Sequence, residues 1–318
     1  MRDGRLQDVT ARPRTFSPPV VHPAAGGAVL ATGALSVGLL LIGYTALSAV
    51  AFTLAGALWL VLALDVGFRL VRDRPRWFAE ADTPPALTAV AATALLGTRS
   101  SLAGLHHLAA ALLALASALW PGLLTAVARH LKRPMPGSVF LVCVATQSLA
   151  VLAGTLALAG AGDWLTWAAL VLFCLGLALY LEALTRYDFR QIWRGAGDQW
   201  IASGGLAISS LAGSKLLLSP LWTGSAHEAL RTTTLVLLAL ALAWHAVLLT
   251  AELARPRLHY DIRRWSTVFP MGITAVATLE VSTATDIPWL DTVGRALLWT
   301  AVAAWFLTLA GLLRSCAR

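Results

Sequence analysis

Trp265-Ser-Thr-Val-Phe-Pro-Met-Gly-Ile-Thr-Ala-Val-Ala-Thr278 combines three features that a plain lipid-facing helix does not need. A proline sits in an apolar segment, a bulky aromatic precedes it, and small or hydroxyl residues follow at Gly272, Thr274, Ala275, Ala277 and Thr278. Proline removes a backbone hydrogen bond and disfavours helix at the residue before it, so Phe269 and Pro270 are expected to kink or break a helix at membrane depth. Non-helical backbone survives there only when it is packed in protein or lines a wet cavity. The stretch therefore reads as a pore-lining helix with an aromatic plug.

The composition around it sets the class. With 58% hydrophobic residues, 13% charged residues and a mean hydropathy of +0.73 over 318 residues, the chain has too little polar surface for a soluble globule and reads as an all-α integral membrane protein. The formal charge of +8 does not point to nucleic acid, because the basic residues fall in short clusters between apolar runs. Cys143 and Cys174 lie inside apolar runs and Cys316 near the C-terminus, without metal-ligand spacing, so neither a metal nor a cofactor is implied. Residues 1–23 hold Arg2, Arg5, Arg12 and Arg14 with several prolines and no apolar core, which reads as a disordered cytoplasmic tail and not a signal peptide.

Ten apolar runs follow, at 25–44, 47–70, 84–98, 102–128, 138–160, 163–185, 198–218, 227–251, 265–284 and 291–313. They define a ten-helix membrane domain over 24–314, with 315–318 as a cytoplasmic C-terminus. The Pro84-Pro85 pair suits a first helical turn. Ten crossings place 20 of the 24 basic residues on one side: the tail, Arg69, Arg72, Arg74, Arg76, Arg129, Lys132, Arg133, Arg186, Arg190, Arg194, Arg255, Arg257, Arg263, Arg264, Arg314 and Arg318. Only Arg99, Lys215, Arg231 and Arg295 fall on the other. The positive-inside rule then puts both termini in the cytoplasm of a cell membrane.

Basic loops recur about every sixty residues, which makes the chain five helical hairpins related as parallel repeats. Odd-numbered helices carry small and hydroxyl residues: Thr32-Gly33, Thr93, Thr146-Gln147, Ser203-Gly204-Gly205 and Thr278. Even-numbered ones are Leu-, Ala-, Val- and Trp-rich. Close helix packing would account for small residues at single positions. The alternation across all five hairpins favours an inner ring around a narrow polar path with an outer greasy ring.

The motifs Met271-Gly-Ile-Thr-Ala-Val-Ala-Thr278 after Trp265–Pro270, Gly197-Asp-Gln-Trp-Ile-Ala-Ser-Gly-Gly-Leu-Ala-Ile-Ser-Ser-Leu-Ala-Gly213, Val144-Ala-Thr-Gln-Ser-Leu-Ala-Val151 and Ala31-Thr-Gly-Ala-Leu-Ser36, in that joint arrangement, resemble the tellurite-resistance/C4-dicarboxylate transporter family. That family includes plant slow anion channels, malate permeases and sulfite exporters. The resemblance covers roughly residues 24 to 313. It implies ten helices with pseudo-fivefold symmetry, odd-numbered helices lining an anion path, a phenylalanine on the ninth helix occluding it, and a homotrimer with one pore per subunit. By motif match Phe269 is that gate; a gap-free shift of two residues puts Met271 there.

Five helix N-termini, each worth about half a positive charge, would join the basic loops at the cytoplasmic mouth and concentrate anions there. A potential of −100 mV drives each negative charge outward by about 2.3 kcal/mol, so efflux needs no coupled ion. Thr32, Thr93, Thr146, Gln147, Ser203, Gly204, Thr274 and Thr278 are the expected pore lining. Arg99 and Lys215, near outer helix ends, either snorkel or belong to an outer anion-attracting ring. Glu280 pairs with Lys215, faces a helix interface, or couples protons. Asp65, Glu182 and Glu252 are expected to pair with Arg69, Arg186 and Arg255, and Asp198 to cap the seventh helix.

Two alternatives stay open: a proton-coupled dicarboxylate carrier, and a membrane-embedded lipid-modifying enzyme whose nearest residues are Tyr187, Asp188, Arg190 and Asp198. No spacing in the chain activates a nucleophile, so the reading is of a transporter and not of an enzyme.

Overall fold

The computed structural model describes residues 25–256 and 260–316. The expected tail at 1–23 with its four arginines, and Arg257 and Arg318, lie outside the described residues. The described chain is helical, with one isolated bridge between Met135 and Tyr187 and no named strand. Its ten longer helices are α1 (Gly26–Leu41), α2 (Thr45–Arg72), α3 (Thr88–Leu102), α4 (His106–Arg129), α5 (Leu141–Leu158), α6 (Trp164–Arg186), α7 (Ile201–Leu217), α8 (Gly224–Ala254), α9 (Trp265–Thr285) and α10 (Pro288–Cys316). Each falls in one of the apolar runs. Seven helical segments have the length and hydropathy to cross a membrane, and α1, α3 and α7 are shorter. A short helix at Arg74–Ala81, which hydropathy did not mark, follows α2.

α7 shows why the bilayer decides helicity here. It carries Gly204, Gly205, Gly213 and four serines, a composition that would make a poor helix in water. In hydrocarbon every backbone polar group needs an internal partner, which leaves helix as the default. Pro270 was expected to kink or break α9; the helix is not broken there and runs from Trp265 to Thr285 across it. Pro270 sits six residues into the helix, and its ring occupies space left by Gly204, whose missing Cβ would lie 3.1 Å from Pro270 Cγ.

Odd and even helices differ sharply in burial. Every residue of α7 is buried, as is every residue from Leu141 to Leu156 in α5. By contrast α2 buries only Ser48, Ala55 and Arg69, and α10 only Leu290, Gly294, Leu298 and Ala301. The even helices turn side chains such as Leu64, Val71, Leu181, Leu253 and Leu307 outward, as an acyl-chain environment permits.

Each odd helix packs on the even helix that follows it and also on the neighbouring odd ones: α1 on α3, α3 on α5, α5 on α7, α7 on α9, and α9 back on α1. At each of these five contacts a glycine admits the neighbour. An added Cβ on Gly33 would lie 3.1 Å from Leu95, on Gly97 2.6 Å from Leu152, on Gly154 2.9 Å from Lys215 Cβ, on Gly204 3.1 Å from Pro270, and on Gly272 3.2 Å from Ala34. Small residues at such crossings let backbones approach, which is the main source of helix association in lipid.

The odd-to-even turns are short and share a cap. After α1, α3 and α5, a glycine with φ of +89°, +79° and +83° (Gly43, Gly104, Gly160) ends the helix in left-handed conformation. The residue after each donates back to the helix, as Tyr44 N does to Leu39 O at 2.9 Å.

Gly154→Ala should lower the thermal stability of the detergent-solubilised protein by about 1–3 kcal/mol, since Lys215 Cβ has nowhere to retreat. Gly56→Ala on α2, where nothing lies within 4 Å, is the matched control and should be neutral or stabilising.

Candidate functional site

The N-terminal ends of the odd helices gather at one face. Gly26 of α1 abuts Thr88 of α3, Gly27 abuts Trp265 of α9, and the turns leading into α5 and α7 meet where Gly137 packs on the Asp198 backbone. Gly197 likewise lies on Arg263, just before α9. This is also the face of the basic loops. Several of its charges are paired: Arg69 with Asp65 and Glu80, Arg186 with Glu182, Arg264 with Glu252 at 2.6 Å, and Arg263 with Asp261 at 2.8 Å. Glu252 therefore pairs with Arg264, not with the expected Arg255, whose guanidinium instead lies over the Trp193 ring at 5.7 Å. The Arg263 fork holds the Asp261 carboxyl below its ordinary range.

Asp198 is not the side-chain cap of α7. It lies in a 3-10 turn, Asp198–Trp200, and α7 has no side-chain cap bond. Tyr187 stacks on Phe140 and Phe189, and the Asp188 carboxylate accepts the Arg190 amide at 3.0 Å. Both are thereby engaged in building the loop.

The expected lining residues lie between the first and the fourth turn of their helices, all buried. Their polar atoms are already engaged, except Gln147 Oε1, which is buried without a donor among the described residues. The Thr93 hydroxyl donates to Ala89 O at 2.7 Å and accepts from Trp59 Nε1 at 2.8 Å. Thr146 donates to Val142 O at 2.9 Å and accepts from Trp120 Nε1 at 3.0 Å, and Thr32 accepts from Trp305 Nε1 at 3.0 Å. Gln147 Nε2 donates to Phe173 O on α6, and Ser203 to Ala241 O on α8 at 3.3 Å. Thr274 and Thr278 donate to the carbonyls of Pro270 and Thr274 within their own helix, each at 2.7 Å. Gly204 meets Pro270. The polar groups of Thr32, Thr93, Thr146, Gln147 and Ser203 thus bond to even-numbered helices.

These bonds reveal a repeat that the small-residue pattern did not. Trp59, Trp120, Tyr180, Trp244 and Trp305 lie on successive even helices and recur roughly every sixty residues. Tyr180 completes the series by donating to Ala202 O at 3.1 Å and accepting from Trp244 Nε1 at 3.2 Å. The recurrence was there to be found in the aromatic spacing alone.

Phe269 is buried, 2% exposed, and belongs to the main apolar cluster. Met271 belongs to a second cluster with Leu35, Leu39, Leu248 and Leu298. Residues at i, i+4, i+7 and i+11 share a helix face, which aligns Phe269 with Ile273, Val276 and Glu280. Near the opposite face from the basic loops, Lys215 of α7 and Glu280 of α9 form a buried ion pair at 2.7 Å. Arg99 of α3 is also buried there, bonded to Ser36 and Ser48. Among the described residues no three His, Cys, Asp or Glu side chains are grouped to hold a metal.

The description voltage-dependent anion channel belongs to the SLAC1 family, whose model matches residues 20–313. The chain is a member of that family, the tellurite-resistance/C4-dicarboxylate transporter family to which its motifs pointed, and so a multi-pass membrane protein of an anion channel and transporter lineage. Similar curated proteins include two called uncharacterised membrane proteins, from two strains of Mycobacterium tuberculosis; each is 28% identical over 125 residues, 36% of this chain and 61% of the relative. The match thus spans about three fifths of the length of those relatives.

The indole-to-threonine bonds are testable as couplings. In a double-mutant cycle of Trp120→Phe with Thr146→Val, thermal unfolding should give a coupling energy of about 0.6 kcal/mol, the usual worth of an interhelical hydrogen bond in a membrane protein.

Proposed function

We propose that the protein is a passive anion channel in which α1, α3, α5, α7 and α9 form an inner ring around an axial path, the even helices form the outer ring, and Phe269 closes the path. The observation that carries this reading is the return of the odd-helix contacts from α9 to α1, among helices buried on nearly all sides. Ten crossings, with the basic loops and both termini cytoplasmic, belong to the same proposal and are supported by the charge segregation.

The electrostatics suit efflux. Five helix N-termini and the basic loops share one face, which raises local anion concentration. Inside, each of Thr93, Thr146, Thr274 and Thr278 donates its hydroxyl proton to a helix carbonyl, so the path presents weak dipoles and no strong chelating set. Weak binding is what conduction requires. The cargo is accordingly a small anion of the halide, sulfite, tellurite or C4-dicarboxylate class.

Phe269, and not Met271, is the gate in this reading, because Met271 packs toward residues of α1, α8 and α10. The burial of Phe269 matches a closed path. Pairing of Glu280 with Lys215 at 2.7 Å favours the passive channel over the proton-coupled carrier, since the carboxylate is committed to a buried ion pair. The homotrimer enters from the family resemblance.

Phe269→Ala should raise anion efflux from liposomes containing the purified protein by tenfold or more, without need of a proton gradient. Unchanged flux in a correctly folded variant, or flux that collapses when the gradient is removed, would count against the gate and the passive reading respectively.

A further inference from the structure

We propose that Arg99 holds a small monovalent anion of the halide class in a discrete site between α1, α2 and α3, about one helical turn inside the face opposite the basic loops. The proposal rests on the anion-channel reading and adds a binding site to it.

The geometry is unusual for a buried cation. Arg99 is 5% exposed. Its Nε lies 3.1 Å from both Ser36 Oγ and Ser48 Oγ, and Nη2 lies 3.0 Å from Ser48 Oγ. Those two hydroxyls are oriented by each other's backbones: Ser36 donates to Ser48 O at 2.8 Å and Ser48 to Ser36 O at 2.6 Å. Their protons being committed, both oxygens are left as acceptors for the guanidinium. The Phe52 ring stands 5.1 Å from Arg99 Cζ. Nη1 is shielded from solvent and has no acceptor among the described residues.

Among the described residues the charge is also without an ion-pair partner. The other two buried cations among the described residues have carboxylates: Arg69 has Asp65 and Glu80, and Lys215 has Glu280. Arg99 has two neutral oxygens and an aromatic face. An isolated buried charge is costly, and hydroxyl dipoles do not neutralise it. A water molecule would supply an acceptor for Nη1 but no charge, whereas an anion supplies both. Serines and Phe52 flank the guanidinium, so the ligand must be small and shed its water readily. A guanidinium is itself weakly hydrated and suits such an anion better than an ammonium would. A dicarboxylate brings more bulk and a second charge that no residue here answers.

The test uses the purified full chain and three probes, chloride, bromide and gluconate, at constant ionic strength. Replacing gluconate by chloride should raise the melting temperature of the wild type saturably by about 2–4 °C. Arg99→Gln should abolish that rise while melting in gluconate no lower than the wild type, because an unpaired charge has been removed. Arg99→Lys, which keeps the charge and loses the fork, should weaken the chloride midpoint at least fivefold. Crystals grown in bromide should show anomalous density in contact with Nη1 of the wild type, a readout that needs no variant. A chloride-insensitive wild type, a chloride response that survives in Arg99→Gln, equal destabilisation of that variant in both anions, or bromide absent from Nη1 would each overturn the site. The outcome is separable from the channel reading, since these are binding measurements and Phe269→Ala flux is not.

Discussion

The close approach of helices at Gly33, Gly97, Gly154, Gly204 and Gly272 is the constraint on which the other features depend. Lipid offers no hydrophobic drive between helices, so association rests on atoms meeting across crossings where nothing but hydrogen stands on the Cα. Each of these five glycines accepts a side chain of the next odd helix, and the last of them, on α9, accepts Ala34 of α1. The shortness of α1, α3 and α7 and the abundance of serine in α7 become tolerable because these helices are enclosed by others. Pro270 belongs to the same arrangement: its ring fills what Gly204 leaves open, and the helix continues through it.

Once the helices are this close, their polar groups must be satisfied locally. Thr93, Thr146, Thr274 and Thr278 donate to their own helix, indoles of the even helices donate across to Thr32, Thr93 and Thr146, and Lys215 is answered by Glu280. Most hydroxyls of the expected lining are thus committed within the protein, which fits a conduit that passes anions without holding most of them. Arg99 is the buried cation without a carboxylate among the described residues, and its imbalance is what a negative ligand would correct.

Much of the fold was legible in the chain because the bilayer imposes it. Hydrocarbon thickness fixes the run lengths, and the cost of moving arginine across fixes which loops are basic, so each apolar run holds one helix. The candidate site was less legible. Hydroxyl residues at Thr32, Thr93 and Thr146 mark both a polar lining and a bond to a neighbouring helix, and composition does not say which way a side chain turns. Reading the tryptophans on the even helices as a repeat would have pointed to the second. The pairing of Glu252 with Arg264 over Arg255 was likewise hidden, since it joins residues across a loop and not along a helix. That helix continues through Pro270 was hidden as well, because the glycine that receives the ring lies on another helix.

The central claim is that the odd helices close upon one another, and the contact that completes the cycle is between α9 and α1. A disulfide requires Cβ atoms about 3.5–4.5 Å apart, and an added Cβ at Gly272 lies 3.2 Å from Ala34 Cβ. In a background with Cys143, Cys174 and Cys316 replaced, the pair Ala34→Cys with Gly272→Cys should cross-link in membranes under mild oxidation, giving a faster-migrating intramolecular species. A pair that stays reduced while a control pair across α1 and α2 cross-links would contradict the account.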